Sequence, residues 1–456
     1  MTNQVKLSRI IRVSMFKRIS FILFFVPLLM VSQHTIKGTF TPGEEYQFAI
    51  LYKVTPEASM FVANTMIDDA GKFEFQLDST VTEGMYKLVY ALPQSEFNFD
   101  VIYNAKEDVE LSFNAETGVE FKTSVENKLV NSYTNSMGLI SQSIGNFYRQ
   151  QSTDSLALKA IFKTQEETQT EYEKAAEGTI ALNFIKANRP YIPLEFEGLT
   201  TYIQNLKLHF FDNVDFNNKV LQSSNFLIER VLNYVFGMGD KEGDEKASLK
   251  QNVDEVFNAM EDATPEIKSI LLEVLWQQMV DGNQEEIANH ITENYLMTIA
   301  ESLNDQELID GLNLFKDLSI GNKAPEFDVQ VKEGAEVTDI SLYDYKVARQ
   351  YVIVFWSSGC SHCLDEIPQL YEFVKDNEDV KVIAIGLEDE PSQWQREIAK
   401  YPEFDHILGL GKWQNEIGRS YNVTSTPTYF VLNGDKKILA KPYDFPAYKK
   451  WAENNK

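Results

Sequence analysis

The stretch Val352–Leu370, "VIVFWSSGCSHCLDEIPQL", contains both cysteines of the 456-residue chain. Its apolar start, "VIVFW", predicts a buried strand, and "SHCLDEIPQL" predicts a helix. Cys360 therefore falls where a strand ends and a helix begins. The unpaired N–H groups and the partial positive charge of a helix N-terminus stabilise a thiolate, which is the form of cysteine that attacks.

Two neighbours of Cys360 support the same interpretation. His362 lies between the cysteines and can donate a hydrogen bond or carry a positive charge. Cys363, one helical turn further on, is placed to attack a mixed disulfide formed at Cys360 and to release the partner. The spacing predicts a two-electron dithiol/disulfide exchange site at Cys360 and Cys363, assisted by His362.

Three other interpretations of the cysteine pair are weaker. A zinc site needs about four ligands, and the chain contains no second cysteine pair. A structural disulfide would close a loop of only a few residues and would hardly restrict the unfolded chain. Two inert buried thiols would not explain a histidine between them. We expect no metal and no cofactor.

The residues around this stretch, 321–456, alternate between strand and helix patterns. Strand patterns are "YVIVFW", "VKVIAIGLE" and the hairpin "TPTYFVLNGDKKILAK", and "PSQWQREIAKY" reads as a helix between them. Strands separated by helices predict a central sheet that is covered on both faces.

Three motifs in this order carry a resemblance: "GNKAPEF" at 321–327, the cysteine stretch, and "YNVTSTPTYFVLNGDKKIL" at 421–439. Together they resemble the thioredoxin-like TlpA/ResA family of exported bacterial thiol-disulfide oxidoreductases. The resemblance covers about the last third of the chain. It implies an α/β thioredoxin fold, with Cys360 as the exposed nucleophile and Cys363 as the buried resolving cysteine, and it favours a reductase over an oxidase.

The resemblance also implies roles for other residues. Pro427 matches the cis-proline of the family, and the backbone of Thr426 is expected to pair with an extended substrate. We expect Trp356 to contribute to substrate binding. Glu366 matches an acidic residue that could exchange protons with Cys363; the alternative is a solvated carboxylate in the first helical turn. The implied partners are protein thiols and disulfides and an upstream redox donor.

Four positions depart from thioredoxin itself. Val354 stands where thioredoxins have a buried aspartate, and Gly359 stands where they have a tryptophan before the nucleophile. Ser361 and His362 replace the Gly-Pro pair between the cysteines, and these two positions tune thiolate stability. A different proton acceptor, groove and redox potential are therefore expected.

Residues 34–125 contain short alternating runs such as "KFEFQL" at 72–77, separated by turn residues. This pattern predicts an antiparallel β-sandwich with one face of each sheet buried.

Residues 126–320 change to a helical period, for which we expect six to eight helices. Thr264 and Pro265 form a helix start signal. The apolar stripe predicted to follow it consists of Ile267, Ile270, Leu271, Val274 and Leu275.

Residues 1–33 have the features of a secretory signal peptide. Five basic residues and no acidic one precede the apolar run Phe21–Val31, which is too short to span a bilayer as a helix. Cleavage near Ser32 or Gln33 would leave a periplasmic or otherwise exported protein that is soluble and not inserted in the membrane. The alternative is an uncleaved N-terminal anchor.

The formal net charge of −26 is concentrated in the middle of the chain. Residues 35–320 contain 46 acidic and 21 basic residues, so their net charge is −25. Nucleic acids and anionic membranes bind through Lys and Arg, which argues against either partner.

The sequence thus predicts four parts: a signal peptide at 1–33, a β-sandwich domain at 34–125, a helical domain at 126–320 and a thioredoxin-like domain at 321–456. The favoured function is thiol-disulfide exchange. One alternative is an envelope binding or adaptor protein whose redox domain is regulatory or vestigial. A peroxiredoxin, whose reactive cysteine lacks a partner three residues on, fits less well.

Overall fold

In a computed structural model, the described residues are 34–56, 58–94, 96–239, 243–333 and 336–455. The predicted signal peptide lies outside them. The described chain divides into two compact units. The first comprises residues 34–54 and 58–132, and the second comprises residues 133–455 together with 55 and 56.

Two four-stranded sheets build the first unit, with the strand orders β4-β1-β7-β8 and β3-β2-β5-β6. Buried side chains from both sheets, including Phe40, Phe75, Tyr86 and Tyr103, form one core between them. The predicted β-sandwich is confirmed. Its strands are β1 (His34–Thr41), β2 (Phe48–Val54), β3 (Ser59–Met66), β4 (Lys72–Leu77), β5 (Gly84–Val89), β6 (Asn98–Tyr103), β7 (Val109–Asn114) and β8 (Gly118–Phe121).

Strand pairing in the sandwich differs from the expectation at one place. Strands β1 and β7 run parallel, whereas the other strand pairs of both sheets are antiparallel. Residues 42–108 lie between these two strands and include all four strands of the other sheet. A connection of this length allows the chain to return in the same direction, which a tight hairpin does not.

Eleven helices occupy the described part of the chain between residues 125 and 317, more than the six to eight expected. The excess comes from short helices of four to seven residues, α3, α5, α9 and α10. The helices are α1 (Val125–Arg149), α2 (Ser155–Ala175), α3 (Ala181–Ala187), α4 (Leu199–Leu208), α5 (Lys219–Gln222), α6 (Phe226–Gly237), α7 (Glu245–Ala259), α8 (Pro265–Asp281), α9 (Glu285–Ile291), α10 (Met297–Leu303) and α11 (Gln306–Asp317).

Helix α8 tests the predicted stripe directly. It begins at Pro265, as the start signal indicates. Ile267, Leu271 and Leu275 are buried as expected, but Ile270 is 42% exposed and Leu272 is fully buried instead. Neighbouring helices cover a broader and slightly rotated face, which the period of a single helix cannot specify.

The chain beyond residue 327 forms a two-stranded hairpin and a five-stranded sheet of order β13-β12-β11-β14-β15. Strand β12 is parallel to β11, and β13 is parallel to β12. Strand β14 is antiparallel to β11, and β15 is antiparallel to β14. The elements are β9 (Asp328–Glu333), β10 (Glu336–Ser341), β11 (Gln350–Trp356), α12 (Ser361–Val374), β12 (Val380–Glu388), α13 (Pro391–Ile398), β13 (Asp405–Leu410), α14 (Glu416–Ser420), β14 (Thr428–Asn433), β15 (Ile438–Ala440) and α15 (Phe445–Asn454).

Both faces of the five-stranded sheet are covered, as predicted. Ile353 and Phe355 of β11 belong to the core on one face, which Leu318 at the end of α11 also joins. Val354 and Trp356 belong to the core on the other face, together with Cys363 of α12. The alternation of side chains along β11 thus determines which core the cysteine helix covers.

Contacts also tie the helices to this sheet within the second unit. The carboxylate of Glu285 in α9 accepts a hydrogen bond from the backbone N–H of Ile320 at 2.6 Å and pairs with Lys441. Among the described residues, no helix has both the length and the apolar character that crossing a bilayer requires.

Candidate active site

Cys360 occupies the junction between β11 and α12, where the sequence predicts it. It is the N-cap residue of α12, and its sulfur accepts a hydrogen bond from the backbone N–H of Cys363 at 3.3 Å. The carbonyl of Ser357 accepts from the backbone N–H of Cys360 at 3.1 Å, which closes the preceding turn. The Cys360 side chain is half-buried, whereas Cys363 is fully buried in the core beneath α12.

The two thiols have opposite electrostatics, although they are one turn apart. Burial raises the pKa of Cys360, but hydrogen bonds from the Cys363 thiol and N–H, from the Thr426 side chain and from the His362 N–H outweigh it, so its pKa lies below the usual value. Burial, assisted by the hydrogen bond and charge of Cys360, raises the pKa of Cys363 to about 12. Cys360 therefore ionises first, and Cys363 keeps its proton.

The loop that contains Thr426 and Pro427 faces the reactive sulfur. The peptide bond between these residues is cis. The carbonyl oxygen of Thr426 lies 3.4 Å from Cys360 Sγ, within reach of the thiol proton. This contact favours the neutral thiol, whereas the N–H groups of α12 favour the thiolate. Thr426 and Pro427 are both half-buried, and the Thr426 carbonyl lies beside the half-buried Cys360.

His362 and Glu366 lie on α12 but differ in their surroundings. His362 is exposed, and its contribution to the thiolate comes through its backbone N–H. Glu366 is half-buried in the second turn of the helix rather than the first. Its carboxylate accepts hydrogen bonds from the Tyr429 hydroxyl at 2.9 Å and from the Phe445 N–H at 2.8 Å. The carboxylate is thus held in place and not freely solvated.

Tyr429 links this carboxylate to the buried cysteine. It is fully buried in the same core as Cys363. Burial raises the pKa of Tyr429, and the charges of Glu366 and Cys363 raise it further. A hydrogen-bonding phenol therefore lies within the electrostatic reach of both groups.

Trp356 does not meet the expectation that it binds substrate. Its side chain is fully buried in the core with Cys363 and Trp394, because it is the last residue of a strand that the flanking elements cover on both faces. It supports the cysteine helix from below and has no surface that a substrate could contact. Val354, two residues earlier, is fully buried on the same face.

Glu388 is a buried carboxylate beside the cysteine turn that the sequence analysis missed. It ends β12 and is 7% exposed. One of its oxygens accepts from the Ser358 N–H at 2.5 Å, and the other accepts from the Ser357 hydroxyl at 3.3 Å. The available signal was its position at the carboxyl end of a predicted strand; this strand is parallel to β11 in the structure, and the carboxyl ends of parallel strands meet at one edge of a sheet.

Among the described residues there is no group of three or more His, Cys, Asp or Glu side chains that could hold a metal ion. The chemistry that the arrangement can perform is that of the two sulfurs. A half-buried ionisable thiol and a protonated thiol buried beneath it suit successive nucleophilic attacks on a disulfide.

Comparisons with known proteins point to the same class. Residues 349–438 match a family described as thioredoxin-like. A segment of 114 residues is 25% identical to the thioredoxin-like protein YneN of Bacillus subtilis (strain 168). That match covers 25% of this chain and 65% of YneN, slightly less than two thirds of the relative.

Solved structures with detectable similarity include two from Bacteroides. A thioredoxin-like protein from Bacteroides caccae ATCC 43185 is 18% identical, with a TM-score of 0.41, over 59% of this chain and 98% of that chain. A thiol-disulfide oxidoreductase from Bacteroides fragilis NCTC 9343 is 21% identical, with a TM-score of 0.26, over 30% of this chain and 100% of that chain.

The sheet order and the cysteine helix agree with the matched family, and the C-terminal part is a thioredoxin-like domain. The resemblance of this part to thioredoxin-like proteins is confirmed. The predicted combination of a β-rich N-terminal part, a helical middle and a thioredoxin-like C-terminal part is confirmed as well.

Proposed function

We propose that the protein is an exported thiol-disulfide oxidoreductase that works as a reductase through its Cys-Ser-His-Cys motif. The observation that carries the proposal is the asymmetry of the cysteine pair. Cys360 is half-buried, and the first turn of α12 donates to its sulfur, while Cys363 is buried with a pKa raised to about 12. Export rests on the basic and apolar pattern of residues 1–33.

The exchange begins when the Cys360 thiolate attacks one sulfur of a substrate disulfide. The substrate S–S bond breaks, a mixed disulfide forms, and the first substrate thiolate leaves and takes up a proton. Cys363 then loses its proton and attacks the sulfur of Cys360. The mixed disulfide breaks, the second substrate thiol is released, and the protein keeps a disulfide between Cys360 and Cys363. Two electrons have then moved to the substrate, and an upstream dithiol donor must replace them.

The proton on Cys363 needs an acceptor, because a thiol with a pKa of about 12 is almost entirely protonated near pH 7. Glu366 is the proposed acceptor, with Tyr429 as the hydrogen-bonded group between its carboxylate and the core that holds Cys363. Val354 occupies the position of the aspartate that accepts this proton in thioredoxins, so another residue must be the proton acceptor.

The proposed substrate is an extended segment of a disulfide-bonded protein. The backbone of Thr426 beside Cys360 can hydrogen-bond such a segment as an added strand. Pro427 shapes the same loop, and the exposed His362 lies at the rim of the contact.

The test is reduction of insulin disulfides by dithiothreitol in the presence of the protein. Wild type is expected to accelerate the reaction, and Cys360→Ala is expected to reduce the rate to background. Cys363→Ala is expected to accumulate a mixed disulfide that mass spectrometry detects. Asp365→Asn, an exposed change on the same helix, is the matched control. Equal rates for wild type and Cys360→Ala would overturn the proposal and favour a binding or adaptor role.

The direction of transfer is tested by equilibrating the cysteine pair with glutathione. A reduction potential below about −220 mV supports a reductase, and a value near about −120 mV supports an oxidant.

A further inference from the structure

The turn between β11 and the reactive cysteine is held by side chains from two other elements. Glu388, at the end of β12, accepts from the Ser358 N–H at 2.5 Å. Gln393, in α13, donates to the Ser358 carbonyl oxygen at 2.6 Å. Both backbone groups of Ser358 therefore have side-chain partners, and Ser358 itself is 1% exposed.

Such partners are needed because the turn belongs neither to the sheet nor to the helix. A buried backbone N–H without an acceptor costs about 1–3 kcal/mol, and a carboxylate is a stronger acceptor than a neutral group. Because Glu388 is itself buried, water cannot readily replace it as the acceptor.

Hydrogen bonds continue from Glu388 to Cys360 through Ser357. The Ser357 hydroxyl donates to Glu388 at 3.3 Å and accepts from the Gly359 N–H at 3.3 Å. The Ser357 carbonyl accepts from the Cys360 N–H at 3.1 Å. The orientation of Cys360 at the start of α12 therefore depends on where Ser357 and Ser358 are held.

We propose that Glu388 is a positioning residue for the exchange reaction: through its hydrogen bonds to Ser357 and Ser358 it holds the cysteine turn so that the first turn of α12 points its N–H groups at Cys360 Sγ. This inference rests on the proposed function, because it concerns the same sulfur. It assigns to Glu388 a role through hydrogen bonding and not through its charge.

Two substitutions separate the hydrogen bonds from the charge. Glu388→Gln keeps a carbonyl oxygen that accepts from the Ser358 N–H, but it has no charge. Glu388→Ala removes both acceptors and leaves the Ser358 N–H and the Ser357 hydroxyl buried without them. Glu390→Ala, an exposed glutamate two residues further on, is the control.

The measurement is the pH dependence of iodoacetamide alkylation at Cys360 in the full chain, followed by peptide mass spectrometry. Cys363 is fully buried beneath α12, so iodoacetamide is expected to modify Cys360 first. We expect Glu388→Ala to raise the midpoint by about one pH unit, which lowers the rate below the midpoint about tenfold. Glu388→Gln and Glu390→Ala are expected to stay within about threefold of wild type, since a neutral acceptor retains most of the geometry.

A surface variant guards against loss of folding in Glu388→Ala. Gln393 is exposed, and Gln393→Ala removes only the bond to the Ser358 carbonyl. It is expected to shift the midpoint in the same direction by a smaller amount. Unchanged midpoints in Glu388→Ala and Gln393→Ala would overturn the inference, and so would equal shifts in Glu388→Ala and Glu388→Gln.

Failure of this inference is distinct from failure of the proposed function. If wild type reduces insulin and loses that activity in Cys360→Ala, the proposed function stands. If the alkylation midpoints of the Glu388 variants then equal that of wild type, only the proposed positioning role of Glu388 is rejected.

Discussion

The β-sandwich and the thioredoxin-like domain both depend on β-sheets, but their strands are buried in different ways. In β4 of the sandwich, Phe73, Phe75 and Leu77 are buried while the residues between them are exposed. In β11, every residue from Tyr351 to Trp356 is buried. A sheet in a sandwich buries one face, whereas a mixed sheet that is covered by other elements on both sides buries both faces.

The burial of ionisable side chains also differs between the two regions. Lys72 and Glu74 of β4 lie on the exposed face. The thioredoxin-like domain instead buries Cys363 and Glu388 near the carboxyl ends of β11 and β12 and half-buries His406 in β13. Burial raises the pKa of Cys363 and lowers the pKa of His406. The comparison shows why the candidate chemistry lies in the second region.

Core truncations should give the largest effect and test the comparison directly. We expect Phe75→Ala and Phe355→Ala each to lower the free energy of unfolding by about 3–5 kcal/mol. The adjacent residues should diverge: Glu74→Ala should change stability by less than about 0.5 kcal/mol, and Val354→Ala should cost about 2 kcal/mol because it is fully buried.

Hydrogen exchange measured by mass spectrometry can follow each strand separately in the full chain. Peptides that cover β4 and β11 report the two regions. If Glu74→Ala reduces hydrogen-exchange protection of the β4 peptide as much as Phe75→Ala does, the conclusion that only one face of β4 is buried would be wrong. If Val354→Ala does not change stability, the conclusion that both faces of β11 are buried would be wrong.

Removing the charge of Glu366 should give an intermediate effect. Glu366→Gln is expected to slow release of the second substrate thiol about tenfold or more near pH 7, since general acid–base groups contribute at least this much. The rate should recover as pH rises, because hydroxide then deprotonates Cys363 directly. Tyr429→Phe should show the same trend, and Asp365→Asn should behave as wild type.

Single-turnover kinetics with a fluorescent disulfide substrate measures this step. If this step has the same pH dependence in Glu366→Gln as in wild type, Glu366 is not the proton acceptor. In that outcome, the half-buried carboxylate would stabilise α15 through the Phe445 N–H and would not handle protons.

The smallest effect is expected at His406. Burial lowers its pKa; Nε2 is 2.8 Å from the Tyr401 carbonyl oxygen, and Nδ1 is buried without a partner. The unfolded chain therefore binds a proton below about pH 6.5 that the folded chain resists. The stability linked to His406 is present above that pH and is lost as pH falls, by at most about 1.4 kcal/mol per pH unit.

His406→Phe should flatten this part of the pH dependence. Urea unfolding between pH 5 and 7.5, monitored through exchange in β13 peptides, gives the slope for both proteins. Identical slopes in wild type and His406→Phe would show that this buried histidine does not contribute.

Local pattern was enough for much of the fold and for part of the site. The boundary at Cys360, the start of α8 at Pro265 and the alternation in β4 depend on neighbours in the chain, and all three are confirmed. Ile270 was misassigned to the buried face of α8, because the packing of other helices decides which flank of a stripe is covered. Trp356 was expected to contribute to substrate binding, but its side chain is fully buried beneath the elements that cover β11.

The sequence by itself determined that a reactive cysteine would stand at a helix N-terminus with a second cysteine one turn inward, because strand period, helix period and cysteine spacing are properties of adjacent residues. Only the tertiary structure decided which groups control those cysteines. Glu388 reaches Ser358 across 30 residues, and Tyr429 reaches Glu366 across 63. Such contacts arise from the order of strands in the sheet, and hydrogen bonding and burial at this range leave no periodic trace in the chain.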